Sequence, residues 1–197
     1  IFFYANALLE TKNYILAAYE FETFVKAYPK SQKADEAYFL MAHAYYMTSP
    51  NFSLDQTDTY EALDKLQEFI NRYPESERMD RANAMVQELR IKTERKGFEI
   101  AKQYHTIRDY KAAMKALDNF IADNPGTSYR EGALFVQFSA AATLAINSVA
   151  YKKENRLEDA KSKFENFKRL YPESTHMEDA QKLLEDIEQE ILTFASN

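Results

Sequence analysis

The side chains best suited to acid–base or metal chemistry are few and widely separated in this sequence. Its three histidines, His43, His105 and His176, stand in different parts of the chain, outside any His-Glu-x-x-His motif or comparable pair of metal ligands. Adjacent acids such as Glu185 and Asp186 point to different sides of a helix, which is typical of a solvated surface. The sequence therefore predicts neither a metal site nor a pair of catalytic carboxylates.

Composition excludes other kinds of chemistry. The chain has no cysteine, which rules out disulfides, thiolate metal ligands and cysteine nucleophiles within it. Its three glycines form neither a phosphate-binding loop nor a Gly-x-Ser-x-Gly motif. The 25 basic and 31 acidic residues give a net charge of −6, which argues against nucleic acid as a partner. We therefore predict a protein that is not an enzyme and that needs no cofactor or metal.

The aromatic residues point instead to a helical architecture. The 197 residues include 14 tyrosines and 14 phenylalanines but only three glycines, too few for a fold with many tight turns. No apolar run approaches the roughly 18 residues that span a membrane.

An internal repeat organises the chain. Four prolines, Pro29, Pro74, Pro125 and Pro172, recur at intervals of 45, 51 and 47 residues. Each follows a phrase in which alanine, a large apolar residue and phenylalanine stand at i, i+4 and i+7, which is one stripe of a helix. The stripes are Ala17, Phe21 and Phe24; Ala62, Leu66 and Phe69; Ala113, Leu117 and Phe120; and Ala160, Phe164 and Phe167.

Each phrase predicts the second helix of an antiparallel pair. The alanine allows a neighbouring helix to approach closely, and the proline ends the helix because the residue before it avoids the α conformation. The Ser or Thr two positions later is suited to cap the next helix. The predicted first helices are 1–11, 32–48, 77–107, 128–153 and 175–195, and the second helices are 14–28, 57–72, 110–123 and 156–170.

The phrase resembles the tetratricopeptide repeat, with Ala42 and Tyr45 matching in one first helix and Ala101 and Tyr104 in another. This resemblance implies an all-α, tetratricopeptide-like helical-repeat solenoid, a right-handed superhelix of about nine helices. We expect one domain over 1–197, with repeats at 1–31, 32–76, 77–127 and 128–174 and a capping helix at 175–195.

The repeats are longer than the usual 34 residues, and this difference narrows the set of tetratricopeptide-like families that the chain resembles. The segments 24–31 and 69–76, the insertion Leu54-Asp55-Gln56-Thr57 and the pair Asn147-Ser148 are similar to the BamD (YfiO-like) family of outer-membrane assembly lipoproteins. That resemblance implies a location on the periplasmic face of the outer membrane. The family's lipid-bearing cysteine is expected upstream of Ile1, so that the lipid is the membrane contact.

The resemblance also implies a function. The family is a non-enzymatic scaffold of the β-barrel assembly machinery. Its first repeats are expected to bind unfolded outer-membrane protein substrates, and its C-terminal repeats the POTRA region of a BamA-like barrel protein. Other assembly lipoproteins are further candidate partners. The alternative is a generic repeat adaptor of another envelope complex, such as a cell-division coordinator or a nutrient-binding lipoprotein of similar architecture.

A candidate groove follows from the register of the first helices, which line the concave face of stacked pairs. We predict a peptide-binding groove lined by Phe2, Leu9, Phe39, His43 and Tyr46. Its rings suit a peptide that ends in an aromatic residue. The alternative is that these rings form the core between repeats, which burial of Phe39 and Tyr46 would favour.

The C-terminal half is the expected side for docking the BamA-like partner. The candidates are charges near the edges of repeats: Arg130, Glu131, Lys152, Lys153 and Arg156. Lys152, Lys153 and Arg156 form a small basic cluster in an acidic protein, whereas most charges of this kind are only solvated.

Overall fold

The computed structural model describes residues 1–195, and these fold into nine α-helices. The helices are α1 (Phe2–Glu10), α2 (Tyr14–Ala27), α3 (Ala34–Thr48), α4 (Thr57–Arg72), α5 (Met79–Thr106), α6 (Tyr110–Asp123), α7 (Arg130–Ile146), α8 (Ala150–Leu170) and α9 (Met177–Ala195). The predicted all-α, repeat-based fold is confirmed. No helix in this part of the chain combines the length and the apolar character needed to cross a bilayer.

The helices group into two compact units, Ile1–Thr93 and Glu94 onward, whose boundary falls inside α5. In unit 1, α1 packs on α2, α2 on α3 and α3 on α4. In unit 2, α7 packs on α6, α8 and α9, and α8 also packs on α9. The expected single solenoid domain over 1–197 and its superhelical sense stay predictions.

The alanines of the four phrases lie where helices approach most closely. Ala17, Ala62, Ala113 and Ala160 are completely buried, as a residue without bulk at a helix crossing should be. The larger members of each stripe fill the surrounding core, and Phe21, Phe69 and Phe167 are also completely buried. The prediction that the stripe of each phrase is the buried face of its helix is confirmed for these residues.

The tyrosine that precedes the proline of the first phrase lies at the edge of the core. Tyr28 is 54% exposed: it follows the end of α2, and its ring contacts that of Phe24, with centroids 5.4 Å apart. Its counterparts Tyr73 and Tyr171 are half-buried at the same position in their phrases.

The Ser or Thr after each proline caps a turn rather than the helix itself. The Oγ of Ser31 accepts a hydrogen bond from the backbone N–H of Lys33 at 3.1 Å, and its carbonyl accepts from Ala34, the first residue of α3. The same pattern recurs at Ser76, Thr127 and Ser174. The predicted starts at 32, 77, 128 and 175 are therefore two residues too early, because a short turn precedes each helix.

These hydroxyl groups also connect consecutive repeats. The Oγ of Ser76 donates to Asp35 Oδ1 at 2.8 Å, and that of Ser174 donates to Glu131 Oε1 at 2.5 Å. Asp35 and Glu131 are each the second residue of their helix, where a carboxylate is also favoured by the helix dipole. The hydroxyl group of Ser76, and likewise that of Ser174, thus makes two hydrogen bonds. One stabilises its own turn, and the other joins that turn to the start of the first helix of the preceding repeat.

Replacing Ser76 by alanine is expected to lower the free energy of unfolding by about 1–2 kcal/mol, because the variant loses a hydrogen bond to a charged acceptor and one within its own turn. Ser76→Thr is the matched control, since Thr127 makes both kinds of bond in the third phrase. Urea unfolding followed by circular dichroism measures both variants. Equal losses in the two variants would contradict an effect carried by the hydroxyl group.

The predicted boundary between 128–153 and 156–170 is wrong. The chain turns at 147–149, and α8 begins at Ala150. The side chains of Asn147 and Ser148 donate back to the carbonyls of Thr143 and Leu144 at 2.8 and 2.6 Å, which satisfies the free end of α7. Val149 then adopts an extended conformation, with φ −66° and ψ 151°, that starts the next helix.

Candidate functional site

Three side chains of the predicted groove form an aromatic ladder on α3. Phe39, His43 and Tyr46 stand at i, i+4 and i+7, so they share one face of the helix. The His43 ring stacks on Phe39 and on Tyr46, with centroid distances of 6.2 Å in both cases and interplanar angles of 8° and 18°. The structure therefore brings these three predicted residues together.

The opposite side of this ladder is supplied by α5. The guanidinium of Arg81 lies 5.5 Å from the centre of the Phe39 ring, and the hydroxyl of Tyr46 donates to Glu88 Oε2. Sequence reasoning missed Arg81 and Glu88. Their separation of seven residues, which places them on one face of a helix, is the signal that could have paired them with the ladder.

The environment of His43, in the middle of the ladder, favours an uncharged imidazole ring. His43 is half-buried, and its Nδ1 is a buried atom with no hydrogen-bond partner in the described part of the chain. Burial lowers the pKa of His43, and the nearby Arg81 lowers it further. An unprotonated Nδ1 avoids a buried, unsatisfied N–H, so the neutral ring with its proton on Nε2 fits this environment.

The two phenylalanines predicted for the groove are buried. Phe39 is 2% exposed, since its ring packs edge-on against Phe69 of α4 at 5.5 Å. Phe2 is 7% exposed and contacts Phe21 and Phe24 of α2, with Lys33 Nζ 4.3 Å above its ring. The expectation that these two rings face an open groove is wrong, because each fills the gap to a second helix.

The remaining groove residues are partly accessible. Leu9 is half-buried against the α1–α2 core, in a different cluster from the α3 ladder, and His43 and Tyr46 are half-buried beside α5. A binding role for the groove stays a prediction, and its accessible members reduce to Leu9, His43 and Tyr46.

The hydrogen bond to Glu88 and partial burial raise the pKa of Tyr46 to about 12 from an ordinary value of 10.0. The folded protein then keeps a proton that the unfolded chain loses. This contribution to stability is complete below pH 10 and is lost as the pH rises through about 12. A Glu88→Gln variant is expected to lower the pKa of Tyr46, as measured by NMR titration of ¹³Cζ-labelled tyrosine. An unchanged titration midpoint would contradict this assignment of the cause.

The predicted docking charges are mostly engaged inside unit 2. Lys153 Nζ forms an ion pair with Glu190, and Arg156 Nη1 donates to Ser148 Oγ at 2.6 Å. Glu131 accepts the hydroxyl of Ser174. The exposed Lys152 lies with its Nζ 5.1 Å from the ring centre of Tyr151, which is 80% exposed.

These five charges do not make one compact patch. Arg130 and Glu131 begin α7, whereas Lys152, Lys153 and Arg156 follow the turn at its other end. A 17-residue helix is roughly 25 Å long, so the two groups lie at opposite ends of the α7–α8 pair. The expectation of one basic cluster is also corrected, because Lys153 is neutralised by Glu190 and Arg156 is held by the turn.

The repeated helix pairs, the buried alanines and the hydroxyl links define an all-helical repeat protein of the tetratricopeptide type. The chain belongs to the YfiO family, described as an outer membrane lipoprotein family, which it matches over residues 3–157 and 92–193. The resemblance expected from the sequence is confirmed.

Two relatives carry the same printed name. The chain is similar to the outer membrane protein assembly factor BamD of Caulobacter vibrioides, with 26% identity over 129 residues, or 66% of this chain and 42% of that protein. It is also similar to BamD of Helicobacter pylori, with 31% identity over 71 residues, or 36% of this chain and 32% of that protein. The aligned segments span less than half of each relative's length.

Proposed function

We propose that the chain is a non-enzymatic scaffold in the assembly of β-barrel proteins at the periplasmic face of the outer membrane. It binds unfolded barrel substrates through unit 1 and the POTRA region of a BamA-like protein through unit 2. The observation that carries this proposal is the family match, which extends from residue 3 to residue 193 and so includes both units. The names of the two relatives supply the assembly role.

The accessible groove side chains support a peptide-binding role for unit 1. His43 and Tyr46 combine flat apolar surface with polar edges, which suits an extended chain whose side chains are partly aromatic. Glu88 and Arg81 hold the ladder from α5, so a bound peptide meets a surface whose geometry is already fixed.

The turn between α7 and α8 supports a docking role for unit 2. It presents Val149 and Tyr151, which are 56% and 80% exposed, beside the charged Lys152. Tyrosine is one of the residue types enriched at binding hot spots. The two cations that follow it are held by Glu190 and by Ser148, which fixes the turn that presents the tyrosine.

The experiment is a binding measurement between the chain and the purified POTRA domains of the BamA-like protein from the same organism. Lys152→Glu is expected to weaken binding roughly fivefold at low salt, with a smaller effect at high salt, because the charge lies at an exposed rim. Lys168→Glu, on the same helix but near its other end, makes the same charge change and is the matched control.

Equal effects of the two variants would remove the α7–α8 turn as the docking site. No measurable binding of the unaltered chain would contradict docking of the POTRA region altogether, and would favour an adaptor for a different envelope complex.

A further inference from the structure

A cavity of about 520 Å³ opens among the first helices of unit 2. Its walls come from α5, from the start of α7 and from the turn that precedes α9. Neither the predicted groove in unit 1 nor the α7–α8 turn includes this cavity, although Glu131, one of the predicted docking charges, lines it. Its size falls within the range of sites that hold a small ligand or a few peptide side chains.

Two stacked pairs of rings form the apolar walls. Phe98 of α5 stacks on Tyr129, with centroids 5.5 Å apart and an interplanar angle of 21°. Phe135 of α7 stacks on His176, with centroids 4.5 Å apart and an interplanar angle of 6°. An aromatic side chain that enters between these pairs meets ring faces and ring edges, which is the environment that aromatic rings favour.

A glycine of α7 lies against the Phe98 ring of the cavity wall. A Cβ at Gly132 would lie 3.2 Å from Cζ of Phe98, a tight contact, so a side chain at this position requires the Phe98 ring to shift by a few tenths of an ångström. Gly132 lies in the third position of α7, an ordinary helical site with no backbone need for glycine. The glycine therefore serves the approach of Phe98 to α7.

One cation stands at the edge of the cavity. Lys102 Nζ lies 5.8 Å from the centre of the Phe98 ring, and its side chain is 46% exposed. It forms an exposed ion pair with Glu99, in which Nζ lies 3.8 Å from Oε2, a distance longer than a hydrogen bond, and such a pair contributes little. The carboxylate of Glu131, which also lines the cavity, already accepts the Ser174 hydroxyl. Lys102 is thus placed to receive a carboxylate from a ligand whose ring enters the cavity.

We infer that this cavity is a second peptide-binding site, which takes an extended segment carrying an aromatic residue next to an aspartate or glutamate. The ring lies between the two stacked pairs and the carboxylate pairs with Lys102. The walls come from three elements that follow one another in space, so the segment lies across α5, α7 and the start of α9. The inference rests on the proposed function only for the identity of the natural ligand, an unfolded substrate chain.

The test uses the full chain and two short peptides, acetyl-Gly-Asp-Trp-Gly-amide and acetyl-Gly-Asn-Trp-Gly-amide. The protein has no tryptophan, so the emission of the peptide tryptophan reports its own transfer into an apolar site. We expect a saturable blue shift, with the aspartate peptide binding roughly two- to fivefold more tightly than the asparagine peptide.

Two variants locate the site. Lys102→Gln is expected to abolish the preference for aspartate, so that the two peptides bind with equal affinity. Gly132→Ala is expected to weaken binding of both peptides roughly two- to tenfold, because the added methyl group requires the Phe98 ring, which forms a wall of the cavity, to shift. Lys111→Gln, an exposed lysine on α6, is the charge-matched control and should keep the preference.

The outcomes separate this inference from the proposed function. An absent or unsaturable shift overturns the site, as does a preference for aspartate that persists in Lys102→Gln. Lys102 is exposed, so its variant stays informative even where Gly132→Ala fails to fold. The measurement contains neither POTRA domains nor barrel substrates, so loss of POTRA binding leaves it intact, and its failure leaves POTRA docking intact.

Discussion

Replacing Phe39 by alanine is expected to lower the free energy of unfolding by about 3–5 kcal/mol, the usual cost of deleting a buried aromatic ring. The ring is 2% exposed and fills the space between α3 and α4 against Phe69, with Arg81 of α5 over its face. Removal leaves a cavity at the junction of three helices and takes away the support on which His43 stacks. Chemical denaturation monitored by circular dichroism gives the change directly.

Phe3→Ala is the matched control, since Phe3 is 79% exposed and the same atoms are removed. Surface substitutions of this kind change stability by about 0.5 kcal/mol or less. Similar losses for the two variants would contradict the assignment of Phe39 to the core. They would also reopen the interpretation of its ring as part of the binding surface.

Replacing Gln56 by alanine is expected to destabilise the chain by about 1–3 kcal/mol and to loosen the segment between α3 and α4. Gln56 is 3% exposed, and its Nε2 donates to the carbonyls of Asn51 and Leu54 at 2.9 and 3.0 Å. Its Oε1 accepts the hydroxyl of Thr59 at 2.9 Å. The variant leaves the buried Thr59 hydroxyl and the two carbonyls of the segment without this partner, and the loss of a partner for a buried polar group costs more than the bond itself contributes.

The measurement combines urea unfolding with limited proteolysis of residues 50–56. Gln67→Ala is the control, because Gln67 is exposed on α4, the helix that begins after Gln56, and its side chain bonds to Asn71 along the helix surface. Faster cleavage in the Gln56 variant alone is the expected result. Equal cleavage in both variants would contradict a structural role for the buried amide.

The Gln56 network extends to α5 and explains why this insertion is ordered. Ser49 Oγ lies 2.7 Å from the Thr59 hydroxyl and accepts a hydrogen bond from Lys92 Nζ, also at 2.7 Å. Burial lowers the pKa of Lys92 despite the nearby Glu88. The Asp-Gln-Thr insertion that marked the family resemblance in the sequence therefore has a packing reason at its central residue.

The helical repeat could be predicted because it depends on local rules. A stripe at i, i+4 and i+7 defines which face of a helix is buried, and proline fixes where the helix ends, whatever lies around it. The ends of α2, α4, α6 and α8 accordingly fall two residues before Pro29, Pro74, Pro125 and Pro172. The starts of the first helices lie two residues later than the sequence predicts, because the Ser or Thr of each phrase closes a short turn with the backbone N–H groups two and three residues later.

The candidate site was less predictable, because it depends on where neighbouring helices lie. The register placed Phe39 on the face shared with His43 and Tyr46, and this is confirmed. The register of α3 does not predict that Phe69 of α4 packs on the Phe39 ring. It also does not predict that Arg81 and Glu88 of α5 contact the ladder. Burial of a side chain between two helices is a property of the pair and not of either sequence alone.

The cavity in unit 2 shows the same limit. His176 stood apart from the other histidines in the sequence, and nothing local links it to Phe135, 41 positions earlier. The stacking of the two rings arises only because α7 and α9 pack together. The reason for a glycine at position 132 is likewise not local, because the ring that lies against it belongs to Phe98 on a different helix.

The most direct test of the proposed scaffold role is purification of the affinity-tagged full-length protein from crosslinked envelopes of its own organism, followed by mass spectrometry. We predict that a barrel protein with POTRA domains copurifies with it, together with unfolded barrel substrates, and that Lys152→Glu reduces the first without reducing the second. Recovery of neither the POTRA protein nor barrel substrates, from cells in which both are abundant, would contradict the proposal.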